Sequence, residues 1–302
     1  MRKPKVAVLM ATFNGHKWII QQIKSIFNQK EVLIELFIRD DRSTDKTKEI
    51  IKKLKKKYNI NYSLNKNKTR SASSNFLNLI IKTKLKDFDF FSFSDQDDIW
   101  LPKKIKRAIE MMSITKSKAY SSMLKIKIKN KSVLWKKSYK QKEFDFLFEG
   151  VTGCTIVLSR SAFVQIKNFL RKKKRTIEKI FMYDWFIYYF LRSRKIPWFI
   201  DPKSYINYRQ HTNNSFGANL GIGLNKLQLN SLIKRLKIIY TGQYISATLY
   251  YAKILNFKNN IITSLENFNF FDRVKLIFET KKLRRSFIDS FFLKLIFLTV
   301  KK

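Results

Sequence analysis

The chain has 302 residues, of which 45% are hydrophobic and 15% aromatic, so it can build a large core and does not have the composition of a disordered protein. Its formal net charge of +41 indicates an anionic partner, such as nucleic acid, anionic lipid or a phosphorylated substrate. Because this charge is spread almost evenly along the chain, we assign part of it to overall composition and expect no dedicated nucleic-acid surface.

The cysteine and histidine content limits the chemistry further. Cys154 is the single cysteine, so an internal disulfide is excluded, and one cysteine with two histidines cannot build a Cys/His zinc site. We interpret Cys154 as a small buried residue with no basic neighbour to activate its thiol. A reducing, cytosolic compartment is expected.

Neither terminal apolar segment is expected to cross a membrane. Residues 6–11 form too short an apolar run for a signal peptide. Residues 291–300 are interrupted by Lys294 and fall far short of the roughly 20 residues that span a bilayer.

Short apolar segments alternate with helical patterns through the first hundred residues. The predicted strands span residues 6–10, 34–38, 60–64 and 88–93. An amphipathic helical pattern follows each of the first three strands, and Ser43 and Thr44 are the expected N-caps of the second helix. This βαβαβ order predicts a parallel sheet.

The pattern is looser beyond residue 101. Further strands are predicted at residues 124–128, 153–158, 197–200 and 205–211. Helices are predicted around residues 105–112, from Tyr183 to Leu191, and repeatedly from about residue 225 onward. We therefore expect an α/β domain over residues 1–220 and a region of amphipathic helices over residues 221–302.

Three carboxylates follow the apolar strand that ends near Phe93. Asp95, Asp97 and Asp98 lie within four positions, where adjacent anions repel one another unless a cation is bound. Oxygen ligands at this spacing suit Mg²⁺ or Mn²⁺, which complete their coordination with water and phosphate oxygens. The alternative is a solvated acidic loop in front of a helix.

A second acidic pair, Asp40 and Asp41, follows the second predicted strand. Ligands of parallel sheets bind beyond the carboxyl ends of the strands, so both acidic groups should share one crevice. The alternative role of Asp41 is that of a turn carboxylate that caps the next helix.

Six short motifs occur along the chain in a defined order. They cover residues 8–15, 40–45, 93–100, 153–155, 183–185 and 208–214. In this order they resemble the motifs of bacterial family 2 glycosyltransferases, in the rhamnosyltransferase-like branch that builds cell-surface polysaccharides. The resemblance covers about residues 4–220 and departs at Arg42, where the family usually has glycine.

The resemblance implies a GT-A (Rossmann-like) fold, with a mixed, mainly parallel sheet flanked by helices and a C-terminal helical appendage. It implies a nucleotide-binding role for Thr12, Asn14, Asp41 and Asp95. It also implies that Mg²⁺ or Mn²⁺ is held by Asp95, Asp97 and His211. Contacts to the diphosphate or the acceptor are expected from Asp98, Trp185 and Arg209.

Asp184 is the expected general base, which takes a proton from the acceptor hydroxyl as that oxygen attacks the anomeric carbon. The alternative is that Asp184 is only the N-cap of the helix that follows. Trp185 could stack on a sugar, whereas Tyr188 and Tyr189 are expected in the core.

The implied function is that of an inverting, metal-dependent glycosyltransferase. It would move a sugar from a nucleoside-diphosphate donor, such as dTDP-rhamnose or a UDP-sugar, to a lipid-linked or polysaccharide acceptor. We expect a cytoplasmic protein that is peripheral on the inner face of the cell membrane and binds no nucleic acid. The alternative is a basic protein that binds membranes or nucleic acid through an inactive transferase-like domain, which leaves the acidic groups unexplained.

The C-terminal segment contains a second pattern of interest. Apolar residues between Phe287 and Leu298 share one helix face, and a basic group at residues 281–285 precedes them. This pattern predicts a helix that lies in an anionic lipid interface. The alternative is a helix packed on the catalytic domain.

Overall fold

The computed structural model describes residues 2–69, 71–85, 87–128, 131–135, 140–209 and 242–300. The chain forms two compact units. The first comprises Met1–Leu134 and Val151–Arg209, and the second comprises Trp135–Gly150 and Gln210–Lys302.

The first unit alternates strands and helices. Its strands are β1 (Lys5–Thr12), β2 (Leu33–Asp40), β3 (Ile60–Leu64), β4 (Phe90–Ser94), β5 (Ile99–Trp100), β6 (Ala119–Ser122), β7 (Leu124–Ile128), β8 (Lys131–Trp135), β9 (Val157–Ser159), β10 (Trp198–Asp201) and β11 (Ile206–Tyr208). Its helices are α1 (Ile19–Phe27), α2 (Thr47–Lys55), α3 (Ala72–Lys82), α4 (Lys104–Ile114), α5 (Arg160–Lys172) and α6 (Tyr183–Ser193).

The main sheet has seven strands in the order β10-β6-β9-β4-β1-β2-β3. Strands β4, β1, β2 and β3 are parallel, as the βαβαβ pattern predicts, and β9 runs antiparallel to both β4 and β6. Residues 6–10 of β1 are fully buried because this strand lies inside the sheet. The mixed, mainly parallel α/β sheet expected from the sequence is confirmed.

A smaller sheet, in the order β5-β11-β7-β8, positions part of the candidate site. Strand β5 pairs antiparallel with β11, with Trp100 opposite Ile206. The acidic residues 95–98 therefore form the loop between β4 and β5, and Arg209 follows directly after β11. Two-residue strands such as β5 carry no periodic signal, so the sequence does not predict this sheet.

Two local predictions need correction, and one helix was not predicted. Helix α2 has Lys46 at its N-cap position, not Ser43 or Thr44. Gly153–Thr155 form a single 3₁₀ turn, so the strand predicted over 153–158 is reduced to β9. Helix α5 begins directly after β9, where Ser159 accepts a hydrogen bond from the Ala162 N–H and caps it.

Helices make up most of the described part of the second unit. They are α7 (Gln243–Leu255), α8 (Asn260–Asn267), α9 (Phe270–Leu283) and α10 (Phe287–Thr299). Within the described part of the chain, no helix combines the length and the apolar character that crossing a membrane requires. The helix predicted around residues 229–240 lies outside the described residues.

Residues 140–150 belong to this helical unit. The sequence instead predicts a single boundary between the two regions at residue 220. The guanidinium Nε of Arg285 lies 3.1 Å from Glu149 Oε1 and 3.3 Å from Asp145 Oδ2, and all three side chains are buried. The Arg285 N–H also donates to Glu149 Oε2 at 2.9 Å. Buried charges require such partners, so these ion pairs fix the segment against the helices.

Candidate active site

The ends of β1 and β2 lie side by side, and Asp40 joins them. Thr12 is opposite Asp40 in the sheet and donates its hydroxyl to Asp40 Oδ2 at 2.9 Å. Ser43 donates its N–H and its hydroxyl to the same carboxylate at 2.7 and 2.6 Å. Asp40 is fully buried, so it holds the two loops together, a role that the sequence does not reveal.

Asp41 faces the loop that follows β3. Its Oδ1 accepts hydrogen bonds from Asn65 Nδ2 and from the Thr69 N–H, both at 2.7 Å. These partners lie beyond the carboxyl end of β3, and α2 has Lys46 as its N-cap residue. The interpretation of Asp41 as a helix cap is therefore wrong, whereas its nucleotide-binding role stays a prediction.

The turns that carry Asn14 and Arg42 both use left-handed backbone conformations. Asn14 has φ 49°, donates its N–H to Ser43 Oγ and accepts the Thr44 N–H, both at 2.9 Å. Arg42, in the place of the glycine usual in the family, has φ 62°. The turn is thus retained at a cost of about 1 kcal/mol relative to glycine. The Arg42 guanidinium is directed to the Lys66 carbonyl, 2.7 Å away.

Gln96 links the acidic loop to the loop after β1. Its Oε1 accepts the Phe13 N–H and its Nε2 donates to the Phe13 carbonyl, both at 3.0 Å. A Cβ on Gly15 would lie 2.4 Å from Gln96 Oε1, so glycine leaves room for this amide. Sequence reasoning missed Gln96, although an amide among three carboxylates was a visible signal.

Gly15→Ala is expected to displace the Gln96 amide and to weaken nucleotide binding about tenfold, or about 1.4 kcal/mol. Isothermal titration with the nucleoside diphosphate that the wild type binds measures the loss. Gln96→Ala is the matched background, because it removes the atoms that the new methyl group would meet. In that background Gly15→Ala should have little further effect, and an equal loss in both backgrounds would contradict the proposed link.

The acidic loop brings two of its carboxylates together with Cys154. Ligand atoms of Asp95, Asp98 and Cys154 lie within 4.8 Å of one another. Burial, followed by the charge of Asp97, raises the pKa of Asp98 to about 7. Burial also raises the pKa of Asp95 well above its usual range, with contributions from Asp98, Asp97 and Asp184. The surroundings of Asp95 and Asp98 therefore do not stabilise two ionised carboxylates.

These residues fit a hard divalent cation. Among the described residues, neither oxygen of Asp98 accepts a hydrogen bond of ordinary geometry, although the Cys154 thiol and the Arg209 backbone lie near enough to lower its pKa. A cation would relieve the repulsion, and carboxylate oxygens are ligands that Mg²⁺ and Mn²⁺ prefer. Burial and Asp98 raise the pKa of Cys154, so its protonated thiol is a poor ligand for such ions.

The predicted metal ligands are only partly brought together. Asp97 is 9% exposed and lies outside the group that Asp95, Asp98 and Cys154 form among the described residues, yet its charge acts on both carboxylates. His211 lies outside the described residues. The ligand set of Asp95, Asp97 and His211 therefore stays a prediction.

A buried lysine lies behind the acidic group. Lys104 Nζ donates to Ser92 Oγ at 3.1 Å and lies 3.6 Å from the centre of the Trp100 ring. Burial lowers the pKa of Lys104 to about 7, while Cys154 and Asp98 oppose this shift. Cys154 therefore has a basic neighbour, contrary to the prediction. Lys104 stands in a lysine-rich stretch, so no local pattern distinguishes it from its exposed neighbours.

Asp184 is the second residue of α6, and Met182 occupies the N-cap position. Its Oδ2 accepts the Gly153 N–H at 3.1 Å and its Oδ1 accepts the Trp185 N–H at 2.8 Å. Gly153 directly precedes Cys154, which lies next to Asp95 and Asp98, so Asp184 lies near the acidic group, and its charge contributes to the raised pKa of Asp95. A role limited to the N-cap is therefore wrong, and the role as general base stays a prediction.

Tyr183 is a further residue that sequence reasoning missed. Its ring stacks on Phe76 with a centroid distance of 4.1 Å, and a Cβ on Gly153 would lie 2.0 Å from its hydroxyl oxygen. Burial, Asp95 and Asp184 raise its pKa well above the usual range. The hydroxyl therefore lies beside the carboxylates that surround the candidate site.

The remaining predicted contacts differ in outcome. Trp185 is 1% exposed, so the prediction that it contacts the diphosphate or the acceptor is wrong. Tyr188 and Tyr189 are fully buried, as expected of core residues. Arg209 is half-buried, donates to Gln21 Oε1 and lowers the pKa of Asp98, so it lies close to the acidic loop.

Comparison with known proteins connects this geometry to a family. The model of glycosyl transferase family 2 matches residues 7–193. The dTDP-rhamnosyl transferase RfbG of Shigella flexneri is 40% identical over 215 residues, which are 70% of this chain and 74% of that protein. The UDP-Glc:alpha-D-GlcNAc-diphosphoundecaprenol beta-1,3-glucosyltransferase WfaP of Escherichia coli is 32% identical over 111 residues, or 37% of this chain and 42% of that protein.

Solved structures show the same fold at low sequence identity. S. aureus TarS in complex with UDP-GlcNAc has a TM-score of 0.54 at 15% identity, covering 90% of this chain and 88% of that chain. The mannosyltransferase PcManGT from Pyrobaculum calidifontis, in complex with GDP-Man and Mn2+, has a TM-score of 0.51 at 10% identity, covering 98% and 85%. These similarities confirm the fold expected from the sequence motifs.

Proposed function

The chain belongs to glycosyltransferase family 2, and we propose that it transfers a sugar from a nucleoside-diphosphate donor to a lipid-linked or polysaccharide acceptor in cell-surface glycan synthesis. The observation that carries this proposal is the approach of Asp184 to the acidic loop at the carboxyl end of β4. A donor diphosphate and an acceptor hydroxyl can meet there. The alternative of an inactive scaffold is not favoured.

The donor is proposed to be a dTDP-sugar, with dTDP-rhamnose as the first candidate and a UDP-sugar as the second. Similarity to the dTDP-rhamnosyl transferase RfbG over most of both chains supports this order. Thr12, Asn14 and Asp41 are proposed to bind the nucleoside, because all three lie at the adjoining ends of β1 and β2. Gln96 then connects this loop to the acidic loop that receives the diphosphate.

The acidic loop is proposed to hold Mg²⁺ or Mn²⁺ through Asp95 and Asp97, with His211 as a further ligand and Asp98 next to the diphosphate. When bound, such an ion offsets the negative charge that develops on the departing nucleoside diphosphate. Arg209 is proposed to contact the diphosphate as well, because a guanidinium can bind two phosphate oxygens at once.

Asp184 is proposed to be the general base. Its carboxylate would accept the proton from the acceptor hydroxyl while that oxygen forms the new bond to the anomeric carbon. The bond to the diphosphate breaks on the opposite face of the sugar, so the configuration inverts. The Gly153 and Trp185 N–H groups hold the Asp184 carboxylate in a fixed orientation.

The site of action is proposed to be the inner face of the cytoplasmic membrane, where the chain would be a peripheral protein. The name of the relative WfaP includes a diphosphoundecaprenol acceptor, which is a lipid carrier. A donor made in the cytosol and an acceptor anchored in lipid would meet at that surface.

A thermal-shift screen of nucleoside diphosphates with and without Mn²⁺ tests the proposal. We expect dTDP or UDP with Mn²⁺ to raise the melting temperature by several degrees, because a ligand at 100 times its Kd adds about 2.7 kcal/mol to the free energy of unfolding. ADP is the control. The matching sugar nucleotide should then release its nucleoside diphosphate slowly in water, and a chain that neither binds nor hydrolyses any donor would overturn the proposal.

A further inference from the structure

The last two helices of the second unit expose an unusual number of large apolar side chains. We call them the Phe-rich face, and its members are Phe270, Phe271, Val274 and Phe278 on α9 and Phe287, Ile288, Phe291, Phe292, Leu295 and Leu298 on α10. Phe287 is 89% exposed and Phe278 is 78% exposed. Single exposed apolar residues are ordinary on protein surfaces, whereas so many on two adjoining helices indicate an interaction surface.

Helix α10 is apolar on both sides, and among the described residues one side is buried while the other is exposed. Leu293, Ile296 and Phe297 are buried within the unit. The exposed members of α10 recur at helical spacing on the opposite side, so packing of the buried side directs them outward.

The helix pair is held firmly enough to present the face in a fixed orientation. Arg273 in α9 donates to the Phe297 and Leu298 carbonyls at the end of α10, at 3.0 and 3.3 Å. The same guanidinium lies 4.2 Å from the centre of the Phe268 ring. Ser286 caps α10 by accepting the Asp289 N–H at 3.0 Å.

Charge accompanies the apolar residues. Lys275, Lys281 and Lys282 are exposed on α9, and Lys294 on α10 is half-buried. The whole chain carries a net charge of +41. Aromatic side chains next to lysines are typical of helices that lie in the headgroup region of a bilayer, where the rings insert and the ammonium groups meet anionic phosphates.

We propose that the Phe-rich face docks the protein on an anionic lipid surface, with α9 and α10 lying in the plane of the headgroups. This deepens the proposed function, because it names the surface on which a lipid-linked acceptor would be met. The lipid contact itself depends only on the second unit. A loss of lipid binding therefore does not affect nucleotide binding, and the two proposals can fail separately.

Sedimentation of the full chain with vesicles tests the docking. We expect binding to vesicles of 70% phosphatidylcholine and 30% phosphatidylglycerol, and at least tenfold weaker binding to pure phosphatidylcholine. Phe287→Ser with Phe291→Ser should weaken binding to the anionic vesicles at least tenfold. Leu33→Ser with Ile114→Ser is the matched control, because it removes two exposed apolar side chains from the first unit and should leave binding unchanged.

A fluorescence measurement separates insertion from simple charge attraction and does not depend on a disruptive variant. After subtraction of the signal of the wild type, which has five tryptophans, the emission of Phe291→Trp should shift to shorter wavelength with anionic vesicles and be quenched by brominated lipid. The proposal would be overturned if the wild type did not bind anionic vesicles. It would also be overturned if brominated lipid did not quench the introduced tryptophan. A stable dimer in lipid-free buffer that Phe287→Ser with Phe291→Ser converts to monomer would likewise overturn it, because the face would then be a contact between two copies.

Discussion

Asp184→Asn is expected to fold like the wild type and to lose sugar transfer by about 10²-fold or more. The asparagine side chain keeps an oxygen that can accept the Gly153 or the Trp185 N–H, so the start of α6 should remain intact. The amide cannot take up the acceptor proton, however. The loss should therefore fall on kcat, with little change in the KM of the donor.

Initial rates of transfer to a lipid-linked acceptor measure this loss, and the thermal shift with nucleoside diphosphate verifies that donor binding is preserved. Asp87→Asn is the matched control, because it makes the same carboxylate-to-amide change at an exposed residue that pairs with Lys5 at the far end of β4. It should retain most of the activity. Normal transfer by Asp184→Asn would show that another group accepts the proton.

Sequence periodicity predicts the part of the fold in which local pattern and tertiary environment agree. Strands β1, β2 and β4 are short apolar runs that lie inside the mixed sheet, β3 forms its edge, and the helices between them carry one apolar stripe each. The segment at 140–150 breaks this agreement. Its carboxylates Asp145 and Glu149 pair with Arg285, more than 130 residues away, and no local pattern reports such a pairing.

The residues of the candidate site also divide into those that the local sequence predicts and those that it does not. The acidic residues 95–98 were predictable, because repelling carboxylates at the end of an apolar strand are costly without a ligand. Gln96, Tyr183 and Lys104 were not assigned, because their importance depends on which loops approach one another in space. Trp185 illustrates the opposite error, since adjacency to Asp184 suggested a ligand contact while the turn of the helix directs its ring into the core.

Loss of the metal-dependent part of nucleotide binding is the expected result of Asp97→Asn. A neutral amide contributes less to holding a divalent cation than a carboxylate does, and the remaining acidic residues cannot replace it without rearrangement. We expect the affinity for nucleoside diphosphate in the presence of Mn²⁺ to fall about 10²-fold. Chelation of the metal from the wild type should give a similar loss.

The measurement compares Kd values with Mn²⁺ and with chelator for each variant. Without metal, Asp97→Asn should bind the nucleotide no worse than the wild type, because one charge that repels the diphosphate is gone. The ratio of the two Kd values should therefore approach one. Asp87→Asn is the matched control, since this exposed carboxylate precedes β4 at the opposite end of the strand and pairs with Lys5. If Asp97→Asn keeps the wild-type ratio of the two Kd values, the ion is held elsewhere. Repulsion between Asp97 and the diphosphate would affect both Kd values by the same factor and would leave their ratio unchanged.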